Sequence, residues 1–330
     1  MKQLKKFNEF IKKKYNELVK SINEVYGVTH SLRNLILFDM LLSYILHGCT
    51  HNDYKKLQFY SLNYYEKETF ITFHRNKRIL RKLKLKKTNK YLDNTEDFNE
   101  KFKEYTKRDI TCIKKLSYKQ FEELIEHDNT LTCKSSNNNT NEEVLNLNDY
   151  RGVGFMIKYM QDNKLDYILT KIEQNEYMKT INPNSLNHIK IVSLLNNNDI
   201  KLLYGIITIG TTSEYKNKLE ENEFISGLIN VSNGSVSEFL DHELNVCKTH
   251  PVSGVSLSKF IIPDYDKIVE LINKAHREIS NVKLITWDIC LTEDGPILLD
   301  GDASNDYIYF QAKRFRVNNH GLMKYYISIG

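Results

Sequence analysis

The sequence predicts an α+β chain whose first third is helical and whose remainder mixes antiparallel strands with helices. Three observations carry this. Glycine and proline are scarce before residue 150, where apolar residues recur at three- and four-residue spacing. From about residue 165 onward, short β-branched runs alternate with turn residues. Finally, in Asn281–Asp302 two apolar runs flank Glu293-Asp294-Gly295, which reads as a hairpin with Gly295 supplying positive φ.

The elements follow in order. Residues 1–24 place Leu4, Phe7, Ile11, Leu18 and Ile22 on one stripe between lysines, giving an amphipathic helix. Asn34–His47 reads as a buried helix closed by Gly48; its apolar run is too short to span a bilayer and contains Asp39. Thr50 offers an N-cap for a helix reaching about Leu62, and an aromatic, basic helix is expected over 66–83. Helical pieces at 97–108 and 117–127 surround a β-like run at 109–114, and Ser117 with Gln120 has the capping-box spacing. A short strand, 130–134, ends in Lys134 before the polar loop SSNNNTNEE. A helix at 153–164 and a strand at 166–172 follow. Strands are then expected at 187–196, 201–211 and 228–231, a short run at 256–262, and a helix at 265–279 ahead of the hairpin.

The hairpin concentrates carboxylates. A three-residue loop pairs Thr292 with Pro296, and counting back sets Asp288 opposite Asp300, with Asp302 on the same face. Like charges that close are costly unless a proton or a cation is shared. Hard oxygens at this spacing suit Mg²⁺ carrying a nucleotide's phosphates. The same residues also fit an exposed acidic hairpin edge, and a one-residue slip of register would part Asp288 from Asp300. Lys134, at a strand end before a polar loop, offers a cation to phosphates; a surface hairpin tip is the plainer reading.

Charge is divided unevenly. Residues 1–120 carry 27 Lys/Arg against 13 Asp/Glu, while 121–330 carry 20 against 29. A basic first part suits anionic lipid, a polyanionic glycan or a phosphorylated substrate, or is simply a solvated helical surface. Aromatic and basic residues interleave at 70–87, yet no RNA-binding signature accompanies them, and nucleic acid is not an expected partner. The five cysteines show no C-x-x-C spacing, which argues against a disulfide framework and a thiolate zinc site. The first residues carry charges throughout and lack the apolar core of a signal peptide, so a cytoplasmic protein without a transmembrane segment is expected. No P-loop, dinucleotide-binding glycine fingerprint or nucleophile elbow is present.

One run of residues carries a resemblance. His250-Pro251, Gly254, Pro263, Ala275-His276, Trp287-Asp288-Ile289, Asp294-Gly295-Pro296 and Asp300-Gly301-Asp302 occur in an order that resembles the ATP-grasp enzymes, in particular the sugar-transfer-associated branch linked to polysaccharide biosynthesis. The similarity is clearest over roughly 160–303 and looser over 30–135. It implies a basic helical leader (1–88) and two α+β subdomains, 89–172 and 173–330, gripping Mg·ATP, with the metal hairpin at 281–302. It further implies ATP-dependent phosphorylation of a substrate carboxylate and attack by an amine, giving an amide, ADP and phosphate, in capsule or polysaccharide assembly.

The resemblance assigns Asp288, Asp300 and Asp302 to magnesium and Lys134 to the nucleotide phosphates. It sets Asn187 and Lys190 on the strand facing those phosphates and the acceptor, and Thr170, Lys171 and Ile172 at the hinge beside the adenine. Departures accompany it. The hairpin reads Asp, Asp, Asp where the family commonly has Asp, Glu, Asn. Lys190 stands for an arginine, and Thr170 and Lys171 stand for acidic hinge residues. For a further nucleotide lysine the nearest candidate is Lys90. Two other readings share these features: a degenerate scaffold binding a partner through the leader, and an ATP-dependent kinase. The leader would then meet solvent or a membrane-bound carrier, and the oligomeric state is left open.

Overall fold

A computed structural model describes residues 2–84, 89–126, 130–136, 142–213, 219–303 and 306–327. The chain forms two compact units, 1–84 with 306–330, and 85–305. The tail, assigned by position to the C-terminal subdomain, therefore packs with the leader.

In the first unit, α1 (Lys2–Thr29) and α2 (Arg33–His47) meet through Ile22, Val25, Ile36 and Met40. Gly48, at φ 64°, closes α2 in the left-handed conformation that glycine adopts at least cost. Helix α3 (His51–Lys56) starts with a reciprocal capping box between Thr50 and Asp53, and ends well before Leu62. The expected single helix over 66–83 is two, α4 (Tyr64–Glu68) and α5 (Phe73–Lys82). The break at Thr69–Thr72 is held by the tail. Gln311 spans Ile71, accepting from its N–H at 2.8 Å and donating to its carbonyl at 2.9 Å, and Tyr307 donates to Asp53 at 2.8 Å. Tertiary hydrogen bonds have overridden local helical periodicity. Helix α2 is not buried as expected: Ile36, Met40, Ser43 and His47 are buried and Leu37 packs beside them, while much of its apolar surface is exposed.

The second unit holds two antiparallel sheets. Short helices α6 (Lys90–Asp93), α7 (Thr95–Lys101) and α8 (Lys103–Thr106) lead into the first, where one longer helix was expected. This sheet contains β1 (Ile110–Cys112), β2 (Thr130–Ser135), β3 (Glu143–Asn146) and β4 (Leu165–Leu169), in the order β1-β4-β2-β3. Helices α9 (Tyr118–Glu126) and α10 (Val153–Asp162) cover one face through Phe121, Ile125, Met156 and Met160. The Ser117–Gln120 box caps α9 as its spacing predicts. Leu131 and Cys133 join that core, so strand alternation turns Thr132 and Lys134 to the opposite face.

After α11 (Glu176–Ile181), the larger sheet runs through β5 (His188–Asn196), β6 (Asp199–Gly210), β7 (Phe224–Ile229), β8 (Phe239–Leu240), β9 (Val246–Cys247), β10 (Leu284–Thr292) and β11 (Gly295–Asp302). The order is β11-β10-β5-β6-β7-β8-β9. The run at 256–262 forms only isolated bridges. Helix α12 (Tyr265–Glu278) lays Ile268, Leu271, Ile272 and Ala275 on Ile189, Ile191, Ile285 and Trp287. Each such aliphatic side chain contributes about 1.5–3 kcal/mol on burial. Behind the sheet a neutral chain runs from Trp287 Nε1–H to Ser193 Oγ (2.8 Å), from Ser193 to His276 Nδ1 (2.7 Å), and from His276 Nε2–H to the Val282 carbonyl (2.8 Å). No helix among the described residues is long and apolar enough to cross a membrane.

Candidate functional site

The hairpin delivers the expected carboxylate pair by an unexpected route. The turn is one residue tighter than the sequence suggests: Thr292 pairs with Gly295 and Leu291 with Pro296. Gly295 has φ 96°, as anticipated. A β-bulge beside Asp288 then places one extra residue on β11 and restores Asp288 opposite Asp300. Asp302 lies opposite Thr286, two residues along the same face.

Both carboxylates meet lysines, one from each sheet. On β5, Lys190 is the register partner of Asp288, and its Nζ lies 2.7 Å from Asp288 Oδ2. His188, two residues earlier on the same face, places Nδ1 3.0 Å from Asp288 Oδ1. From β2, buried Lys134 reaches Asp300 Oδ2 at 3.2 Å, while Asp300 Oδ1 accepts the Gly301 N–H at 2.6 Å. Behind Lys134, the Arg108 guanidinium grips Glu142 with two contacts of 2.6 and 3.1 Å and donates through Nε to the Thr170 carbonyl at 2.8 Å. Cations thus come from both sheets of the second unit and converge on three carboxylates.

The electrostatics are unequal. Burial would raise the Asp288 carboxyl, but Lys190 and His188 outweigh it and hold the group well below the usual carboxylate range. Glu142 is likewise held low, because Arg108 overcomes its burial. Asp300 is different. Burial, with the Asp288 charge adding to it, pushes its carboxyl up to about 7 against the pull of Lys134 and Lys190. Burial thus outweighs the lysines at Asp300 and not at Asp288.

The chemistry of the donors tests whether a divalent cation fits. Asp288 and Asp300 offer hard oxygens across one strand pair, and a cation beside Asp300 would relieve its burial. Among the described residues no group of three His, Cys, Asp or Glu side chains is arranged to cage a metal. Mg²⁺ needs no such cage, since one or two carboxylates plus substrate phosphates and water complete its shell. The donor set fits.

Asn187 and Lys90 bond to groups outside the cluster. Asn187 lies just before β5 and does not share its pairing with Lys190. Buried Asn187 donates from Nδ2 to the Met178 carbonyl at 3.1 Å and from its backbone to Gln174 at 2.7 Å. Lys90 pairs with Asp97 at 2.9 Å on an exposed helix. Thr170 and Lys171 are exposed, whereas Ile172 is buried with Cys290, Ile297 and Leu299. His188 and Glu142 carry no expectation from the sequence, and Arg108, their neighbour in the site, is buried. The parity of His188 with Lys190 was the available signal for the first. The Arg108–Glu142 pair joins segments far apart in sequence and left none.

Comparison with known proteins gives the family. No curated protein matches the chain. Among solved structures, N5-carboxyaminoimidazole synthetase from Staphylococcus aureus complexed with ADP is similar at 10% identity, with 66% of this chain and 47% of that one covered and a TM-score of 0.39. D-alanine–D-alanine ligase from Bacillus anthracis is similar at 9% identity, with 72% and 58% covered and a TM-score of 0.34. L-amino acid ligase from Bacillus licheniformis is similar at 10% identity, with 70% and 46% covered and a TM-score of 0.38. The chain therefore spans less than two thirds of the length of each. The family described as sugar-transfer associated ATP-grasp matches residues 152–326, a stretch that includes β5, α12 and the whole carboxylate hairpin. Matched over more than half its length, the chain belongs to the sugar-transfer associated ATP-grasp family.

Proposed function

We infer that the chain is an ATP-dependent carboxylate–amine ligase acting on a sugar-linked or amino-acid substrate in polysaccharide or capsule assembly. One observation supports this reading: two register-paired carboxylates each meet a lysine, one lysine from each sheet. A nucleotide bringing its own divalent cation suits that arrangement. Asp288 and Asp300, with Asp302 beside them, would hold the ion. Lys190 and Lys134 would then turn to the phosphate oxygens and offset the charge that develops on the transferred group. Bound there, Mg²⁺ supplies further charge neutralisation of the phosphoryl oxygens. Ile172, packed with Cys290 and Leu299, supplies an apolar wall for the base, while Thr170 and Lys171 flank its edge. Asn187 positions the start of β5 from behind.

A substrate carboxylate oxygen attacks the γ-phosphorus, and the bond to the β-phosphate oxygen breaks to release ADP. The amine nitrogen then attacks the acyl carbon, phosphate leaves, and the nitrogen sheds a proton. Hydroxylamine trapping tests this. The parent, given Mg·ATP, a panel of sugar acids and amino acids, and hydroxylamine, should yield ADP and a hydroxamate; Asp288→Asn should lose at least about a hundredfold in turnover. A phosphate ester in place of the hydroxamate overturns the reading in favour of a kinase. A second reading rests on the same ion pairs: the cluster is largely neutralised by its own residues, as a degenerate nucleotide site would be. A folded parent that gains no thermal stability from Mg·ATP would favour it.

A further inference from the structure

Helix α2 presents a face that the fold leaves bare. At 100° per residue, Leu35, Phe38, Leu41, Leu42, Ile45 and Leu46 occupy one continuous arc of roughly 140°. They are between 39% and 74% exposed, while Ile36, Met40, Ser43 and His47 occupy the opposite, inward arc. Monomers in water seldom leave so many large aliphatic side chains contiguous and bare. The neighbouring α1 supplies an excess of positive charge: residues 2–20 carry seven lysines against two glutamates. Arg33 at the start of α2 donates to Asn23 of α1 at 2.9 Å, and Ile22 and Val25 bury against Ile36 and Met40, so the two helices are fixed together. On the stripe of α1 that packs inward at Leu18, Ile22 and Val25, Ile11 and Tyr15 are 49% and 64% exposed.

We propose that α1 and α2 form a docking surface for an anionic lipid bilayer, with the outer arc of α2 lying at the boundary between headgroups and acyl chains. An apolar helical face beside a lysine-rich one is the pattern of interfacial binding, in which apolar burial and attraction to anionic lipid add. A second copy of the chain suits the face less well. A two-fold contact through it would present the same lysine-rich helix from both partners. The fifteen-residue α2 is too short to span, so it lies in the interface. This inference does not depend on the nucleotide reading, because neither helix belongs to the unit that holds the carboxylate cluster.

Vesicle sedimentation of the full chain tests it. Vesicles of phosphatidylcholine with phosphatidylserine should carry the parent down, phosphatidylcholine alone should carry much less, and added salt should release it. Phe38→Glu with Ile45→Glu should lower the partition by at least about tenfold. Reversing Lys12, Lys13 and Lys14 to Glu should lower it by about fivefold or more per lysine. All these positions are exposed, so the variants should melt at the parent's temperature. A parent that stays in solution with anionic vesicles overturns the proposal, as does a Phe38→Glu, Ile45→Glu variant that sediments like the parent. A dimer seen by ultracentrifugation and dissolved by that same variant would assign the face to a second copy instead.

Discussion

On one face of the β5–β10 pair, Trp287, Ser193 and His276 form a neutral, buried chain in which every donor has an acceptor. On the other face of the same strands, Lys190, His188 and Asp288 sit beside Asp300, whose carboxyl burial pushes up while that of Asp288 is held low. Adjacent residues of β10, Trp287 and Asp288, take part in the two arrangements. A satisfied neutral network costs little to bury and fixes the register of the sheet. Buried ionisable groups pushed in opposite directions gather at functional sites. The contrast gives one face a supporting role and marks the other as the candidate site.

Truncation of the supporting face should have the largest effect. Trp287→Ala removes the largest buried side chain of the second unit's core and should cost about 4 kcal/mol in denaturant unfolding, with Mg·ADP affinity of the folded fraction unchanged. A cost below about 1 kcal/mol would break the division between the faces.

Acid should act next. Burial, reinforced by Lys283 and Arg277 and opposed by the Val282 carbonyl, lowers His276 to about 4 from its ordinary 6.5. Between those values the unfolded chain binds the proton and the native state does not. The His276 contribution is fully present above pH 6.5 and is lost as pH falls towards 4, by about 3 kcal/mol. Stability measured against pH should flatten across that window in His276→Gln, even if that variant is less stable throughout.

Ser193→Ala strands Trp287 Nε1–H and His276 Nδ1 together and should cost about 2 kcal/mol. Smallest is the stability effect of Asp288→Asn. Its partners Lys190 and His188 are about one-third exposed and can return to water, so a change of about 1 kcal/mol is expected beside the large loss of turnover.

How far the sequence reveals this molecule depends on the range of the interaction. The hairpin, the α12 stripe and the capping boxes at Thr50 and Ser117 rest on contacts within a few residues, and their patterns read directly. The Asp288–Asp300 pairing was reached although the turn was assigned one residue too long, because a bulge that carries no sequence mark compensates the shift. Asn187 lies just outside β5 and bonds the Met178 carbonyl, while His188, at the strand's first position, shares a face with Lys190. Arg108 with Glu142 joins positions 34 residues apart, and Gln311 with Ile71 joins positions 240 apart. Such pairs depend on tertiary placement and leave no local pattern. The bare arc of α2 was read as core because periodicity reports where apolar residues lie and not whether anything covers them.

The central claim is that the carboxylate cluster receives a nucleotide with its divalent cation. Calorimetric titration of ADP, with and without Mg²⁺, into the parent and into Asp300→Asn tests it most directly. The account predicts micromolar binding by the parent that requires Mg²⁺ and disappears in Asp300→Asn while the variant stays folded. Equal binding by the two proteins, or binding indifferent to Mg²⁺, would contradict it.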